Sequence, residues 1–179
     1  MFRSRTAVRV AVALSAAVAG GVLAFEPAGS AGDPPPFRTD SFMTLNTRGM
    51  RENMSKDPMR TVYEFDIHSN LTGEKIGTAT DSVFCSTTTP PPCQVFDAVT
   101  TFHLPDGEIT NHAQVSVVPD PQRPGGFLVG ARPTENSVVS GTGAYEGKKA
   151  KVRLTGWNDG SDYPNRLMAD DWWIFEFEQ

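Results

Sequence analysis

The stretch TTFHLPDGEITNHAQVSV (Thr100–Val117) decides the fold. Apolar and polar residues alternate on both sides of Leu-Pro-Asp-Gly, the period of a half-buried strand and not of a helix. Two histidines, His103 and His112, flank the turn, so their role depends on which face is buried. A two-residue Asp106-Gly107 turn would set Leu104 opposite Ile109, Phe102 opposite Asn111 and Thr100 opposite Ala113. A three-residue Pro-Asp-Gly loop would set Phe102 opposite Thr110 and mix polar with apolar residues on both faces. Proline geometry favours the loop. The hydrophobic pattern favours the turn, and because a one-residue slip flips every side chain, the pattern decides.

Phe96, Ala98, Phe102, Leu104, Ile109, Ala113, Val115 and Val117 are therefore expected on one face. Thr101, His103, Thr110, His112 and Gln114 are expected on the other. The histidines become diagonal neighbours on the polar face with no third His or Cys beside them. A zinc site needs three or four converging ligands, so no metal is expected here. Asn111 falls on the apolar face, where a buried amide needs partners. Asp81, in GTATDSVF, raises the same question. It points inward if Gly77, Ala79 and Val83 do, and outward if Ile76, Thr78 and Phe84 do.

The same alternation runs outward from the hairpin. RTVYEFDIH sets Tyr63, Phe65 and Ile67 against Glu64, Asp66 and His68, and KIGTATDSVFC, GGFLVGARP, KKAKVRLTGW and DWWIFEFE continue it. Gly, Pro and Asn-Asp-Gly clusters separate the runs. SFMTLNTRG reads as a first strand, and MRENMSKDP reads as one helical turn stopped by Pro58. Seven to nine short antiparallel strands imply a sandwich or a barrel.

The bulk numbers suit one globular domain. The chain has 179 residues, 16 Lys+Arg against 21 Asp+Glu, and 39% hydrophobic residues. This acidic balance argues against a nucleic-acid partner. Residues 1–31 differ in kind: a basic start, MFRSRTAVR, precedes the short apolar run AVALSAAVAGGVLA and the small residues EPAGSAG. That is a secretory signal pattern with cleavage expected after Ala24 or Ala31. Losing Arg3, Arg5, Arg9 and Glu26 would take the net charge from −5 to −7. A secreted or cell-surface protein with no retained membrane anchor is expected. Residues 32–58 read as a Pro-rich linker with the first strand, and 59–179 as the β domain. Cys85 and Cys93, in FCSTTTPPPCQ, suit a disulfide in an oxidising compartment, worth about 2–3 kcal/mol by loop entropy.

Three segments, KIGTATDSVFC (Lys75–Cys85), FHLPDGEITNHAQV (Phe102–Val115) and VVSGTGAYEGKKAKVRLTG (Val138–Gly156), resemble the family of allene oxide cyclases, dirigent proteins and bacterial spirotetronate cyclases. The resemblance spans about Tyr63 to Trp157. It implies an all-β fold, an eight-stranded antiparallel β-barrel with a ligand-sized interior, often assembled as a homo-oligomer. Gly141 and Gly143 suit a bend with positive φ under Tyr145. Where the family commonly has a double glycine this chain has Ser140-Gly141, and where it has a small residue this chain has Lys148-Lys149.

The family's enzymes fold a hydrophobic, often polyunsaturated substrate for ring closure without cofactors. No cofactor is expected here, since no phosphate loop, HExxH, GxSxG or dinucleotide fingerprint is present. The resemblance implies a polyketide-like cyclase or isomerase acting on a small molecule. Its rivals are a non-catalytic, dirigent-like barrel that binds a hydrophobic metabolite, and a structural module with a filled interior. Candidate catalytic groups are Asn111, Asp81 and Tyr63. Candidate substrate contacts are Phe65, Phe102, Val115, Asn136, Leu154, Trp173 and Phe175.

Overall fold

The computed structural model describes residues 38–85, 94–131 and 137–179. Ten strands follow in order: β1 (Arg38–Thr39), β2 (Phe42–Glu52), β3 (Arg60–Ser69), β4 (Lys75–Cys85), β5 (Val95–Leu104), β6 (Gly107–Pro119), β7 (Gly126–Ala131), β8 (Val138–Gly141), β9 (Ala150–Asp159) and β10 (Arg166–Phe177). Among the described residues one 3-10 turn, Gly143–Tyr145, interrupts them. Eight strands close a ring in the order β2, β10, β9, β7, β6, β5, β4, β3, and β3 pairs back onto β2. The fold is thus all-β, a closed eight-stranded antiparallel barrel, and β2 is an integral stave of it. No helix among the described residues is long and apolar enough to cross a membrane.

The Thr100–Val117 hairpin keeps the expected faces but not the expected register. Phe102 faces Ile109, Thr100 faces Asn111 and Leu104 faces Gly107. The turn is Pro105-Asp106, one residue earlier than Asp106-Gly107, which shifts the pairing by two and so preserves every in-or-out assignment. Proline takes the first turn position, where its fixed φ is already correct. Gly107 then opens β6 at φ 145, and a Cβ there would lie 2.2 Å from the Thr142 carbonyl oxygen. His103 and His112 point outward. His103 Nδ1 pairs with Glu108 at 2.8 Å and its Nε2 with the Thr80 hydroxyl at 3.2 Å.

Two further expectations are revised. The MRENMSKDP segment forms no helical turn: β2 runs to Glu52 and a loop follows. The Asn53 side chain organises that loop by accepting from Ser55 and Val62 backbone N–H groups. Gly141 is not at positive φ, although Gly143 is, at 57°. Gly141 is required for close approach instead, since a Cβ there would lie 2.1 Å from the Tyr145 carbonyl oxygen.

The barrel interior is unequal along its axis. At one end β6 pairs with β8 through Ile109–Asn111, at the other with β7 through Val115–Pro119. The β8 end is solid. Phe102 packs edge-on against both Trp173 and Phe175, with ring centroids 5.1 and 5.2 Å apart. Tyr145, fully buried, closes this end and donates its hydroxyl to Asp106 Oδ1 at 2.8 Å. Met43, Leu45, Ile67, Ile109 and Val152 fill the space between.

Candidate functional site

The β7 end holds a cavity of about 610 Å³, within the usual range for small-molecule sites. Its deep wall is apolar: Ala98, Val115, Val129, Leu154 and Trp173, with Val83 beside them. Phe84, Phe96 and Phe127 line it nearer the rim, where the exposed Met59 and Tyr163 also stand. Trp173 forms the floor toward the packed end and is fixed by its indole N–H, which donates to Thr47 Oγ1 at 3.0 Å.

Two carboxyls break this apolar lining, Asp81 from β4 and Asp171 from β10. Asp81 points inward because Ile76 sits at a bulge. Ile67 pairs with Gly77 and His68 with Lys75, so Ile76 is the extra residue. The bulge changes the phase of β4, which is why Ile76 and Ala79 are both buried while Asp81 and Val83 still face the lumen. Asp81 accepts a hydrogen bond from the Thr100 hydroxyl at 2.8 Å. Its burial raises its pKa to about 6, an effect that the Thr100 bond partly offsets.

Asp171 occupies a niche that exists because residue 156 is glycine: a Cβ there would lie 2.0 Å from Asp171 Oδ1. The amide of Asn158, oriented to satisfy both neighbours, donates to Asp171 Oδ1 at 3.2 Å and to the Trp157 carbonyl at 3.0 Å. Burial pushes the Asp171 carboxyl well above the usual carboxylate range, and the charges of Asp81 and Asp170 push it further. Both carboxyls are thus held above the ordinary carboxylate range by burial, and the charge of Asp81 adds to the shift at Asp171. No Lys, Arg or His forms an ion pair with either carboxyl among the described residues. The basic residue on the lining, Arg60, lies at the exposed rim over the Phe84 ring, 5.6 Å from its centroid.

Tyr63 also lines the cavity, but its hydroxyl is committed to the Pro164 carbonyl at 2.9 Å. Burial first, then the neighbouring Tyr163 and Asp81, push its phenol above the ordinary value, so it remains a neutral donor. The bond ties the β9–β10 connection to the barrel wall. Tyr63→Phe is expected to cost about 1 kcal/mol, the net worth of one hydrogen bond. A urea titration read by Trp fluorescence checks this, and an unchanged midpoint would mean that the tie contributes nothing.

The structure brings Asp81, Tyr63, Val115, Leu154 and Trp173 to one cavity. Phe102 and Phe175 face the lumen but fill its solid end. Phe65 packs with Tyr63, Ala169 and Leu167 in a separate cluster. Asn111 is fully buried between Thr100 and Val138, with neither amide atom hydrogen-bonded. It does not line the cavity. Asn136 and Cys93 lie outside the described residues, while Cys85 ends β4 on the cavity lining. Sequence reading missed Asp171 and Asn158. The signal for Asp171 was present: with Trp173 and Phe175 inward, period two places Asp171 inward as well. Among the described residues no group of three or more His, Cys, Asp or Glu side chains is placed to hold a metal ion.

No protein-family model matches the chain, and no curated protein matches it. Among solved structures it is similar to a pyocyanin demethylase, at 19% sequence identity and a TM-score of 0.42, over 76% of this chain and 99% of that one.

Proposed function

We propose that the barrel binds a hydrophobic small molecule in its half-open lumen and converts it, without cofactor, by isomerisation or ring closure. The observation that carries this reading is the Asp81–Asp171 pair set into an otherwise apolar cavity. A carboxyl with pKa near the working pH is a competent general base, and a neighbour that keeps its proton is a competent acid. Asp81 removes a proton from one carbon of the ligand, and Asp171 delivers its own proton to another atom. The product is an isomer, and proton exchange between the two carboxyls restores the starting state. No oxidant or reductant is consumed. The cavity walls add orientation, holding a flexible chain in its reactive conformer.

The polyketide-like, polyunsaturated substrate and kinship with the allene oxide cyclase and dirigent barrels belong to this reading. So do export by residues 1–31, a Cys85–Cys93 disulfide and homo-oligomeric assembly. The test compares metabolites of the source strain with those of a strain lacking the gene, by mass spectrometry. Loss of a product with accumulation of an isomer of equal mass is expected. Complementation with Val115→Trp, which fills the cavity, should not restore the product. If only the amount of an unchanged metabolite shifts, the barrel is a dirigent-like binder and the catalytic reading falls.

A further inference from the structure

We infer that the cavity takes an apolar, unsaturated amine, with its protonated nitrogen seated against the Asp81 and Asp171 carboxyls. The inference rests on the small-molecule reading above and narrows its substrate class. It begins from the state of the two carboxyls. One oxygen of each is held by the protein, Asp81 Oδ1 by Thr100 and Asp171 Oδ1 by Asn158. The second oxygen of each has no protein donor among the described residues. The carboxylate of the pair thus leaves an oxygen on the cavity lining for a donor that the protein does not supply.

Charge leads to the same ligand. The groups facing the pair are Thr100 from β5, Tyr63 from β3, Asn158 from β9, Asp170 beside Asp171, and Tyr163 at the rim. None of them is a cation; the cationic side chain on the lining, Arg60, stands at the exposed rim over the Phe84 ring, and Asp170 itself takes a hydrogen bond from Asn46 at 2.8 Å. A neutral apolar ligand that filled the cavity would expel water and seal an unpaired carboxylate in an apolar space, which costs several kcal/mol or forces uptake of a proton. A protonated amine supplies the missing N–H donors and the missing charge together, as charge-assisted hydrogen bonds. The rings of Phe84, Phe96, Phe127 and Trp173 on the lining suit the rest of such a molecule, since aromatic faces attract both a flat unsaturated skeleton and a cation.

The test uses a size-matched pair of probes, 2-naphthylmethylamine and 2-naphthylmethanol, titrated into the purified protein by calorimetry at pH 7.5 and pH 5. The amine is expected to bind at least about tenfold more tightly than the alcohol at pH 7.5, a modest return for one charge-assisted bond. The preference should shrink at pH 5, where Asp81 is protonated, and approach unity in Asp81→Asn at both pH values. If the alcohol binds as tightly as the amine at pH 7.5, the inference fails while the small-molecule reading stands. A preference that persists unchanged in a folded Asp81→Asn overturns it as well. If neither probe binds, both fall. The wild-type comparison decides even if the variant does not fold.

Discussion

Asp81→Asn is expected to stabilise the barrel at pH 8 by about 1–3 kcal/mol while slowing turnover roughly 10²- to 10⁴-fold. Asp81 has an ordinary carboxyl pKa when unfolded and one raised to about 6 when folded, because burial disfavours its charged form. Below about pH 4 both states hold the proton and folding carries no electrostatic penalty from this group. As the pH rises from about 4 to 6 the unfolded chain releases the proton first, so stability falls and then levels off above the folded pKa. The full loss, a little over two pK units, is about 3 kcal/mol. Asparagine removes this loss and keeps an oxygen for the Thr100 hydroxyl. The benefit is smaller than the whole because the new amide N–H groups need partners in the cavity. Thermal melts at pH 4.5 and pH 8 provide the check: the variant should gain on the wild type markedly more at the higher pH. A variant equally destabilised at both would show that Asp81 is not a buried charge. Asp171 should respond through the same interaction, its pKa still raised by burial but no longer by the Asp81 charge. A stabilising change that removes activity is the usual sign of a group kept for chemistry and not for the fold.

Phe102→Ala is expected to cost about 3–5 kcal/mol, lowering the melting temperature by roughly 10 °C or more. Phe102 is fully buried and touches Trp173 and Phe175 edge-on, so its ring joins the solid end to the cavity floor. Truncation removes the apolar transfer energy of the ring and leaves a void between side chains anchored on separate strands. Trp173 can lean into that void only by giving up its bond to Thr47. Urea unfolding read by Trp fluorescence measures both effects, the midpoint through stability and the native emission through the Trp173 environment. A loss below about 1 kcal/mol would show that the β8 end is loosely filled, which contradicts close packing of the interior.

Much of the fold was legible because its cause is local. Inward and outward faces follow from period two, so Phe102, Val115, Leu154, Trp173 and Phe175 were correctly placed on the lumen side from alternation alone. The hairpin register was not legible to the residue. A shift of two leaves every face unchanged, and only Pro105 together with the contact between Gly107 and Thr142 selects the observed pairing. Asp81 was ambiguous for a specific reason: the bulge at Ile76 breaks the alternation, and its one local mark in KIGTATDSVF, Gly77, fits a close backbone approach equally well.

The sequence by itself determined that the chain is all-β, that the histidines stand on the outer face, and that polar exceptions occur among the inward positions. Each of these depends on neighbours within a few residues. Only the tertiary structure decided that the barrel is solid at one end and hollow at the other, since that depends on how side-chain volumes from eight strands add at each level of the lumen. Only it decided that Asp81 and Asp171 belong to one site. They are far apart in the chain, and Gly156 and Thr100, which admit and hold them, come from two further strands. Ring closure of the sheet creates that proximity, and no local pattern encodes it.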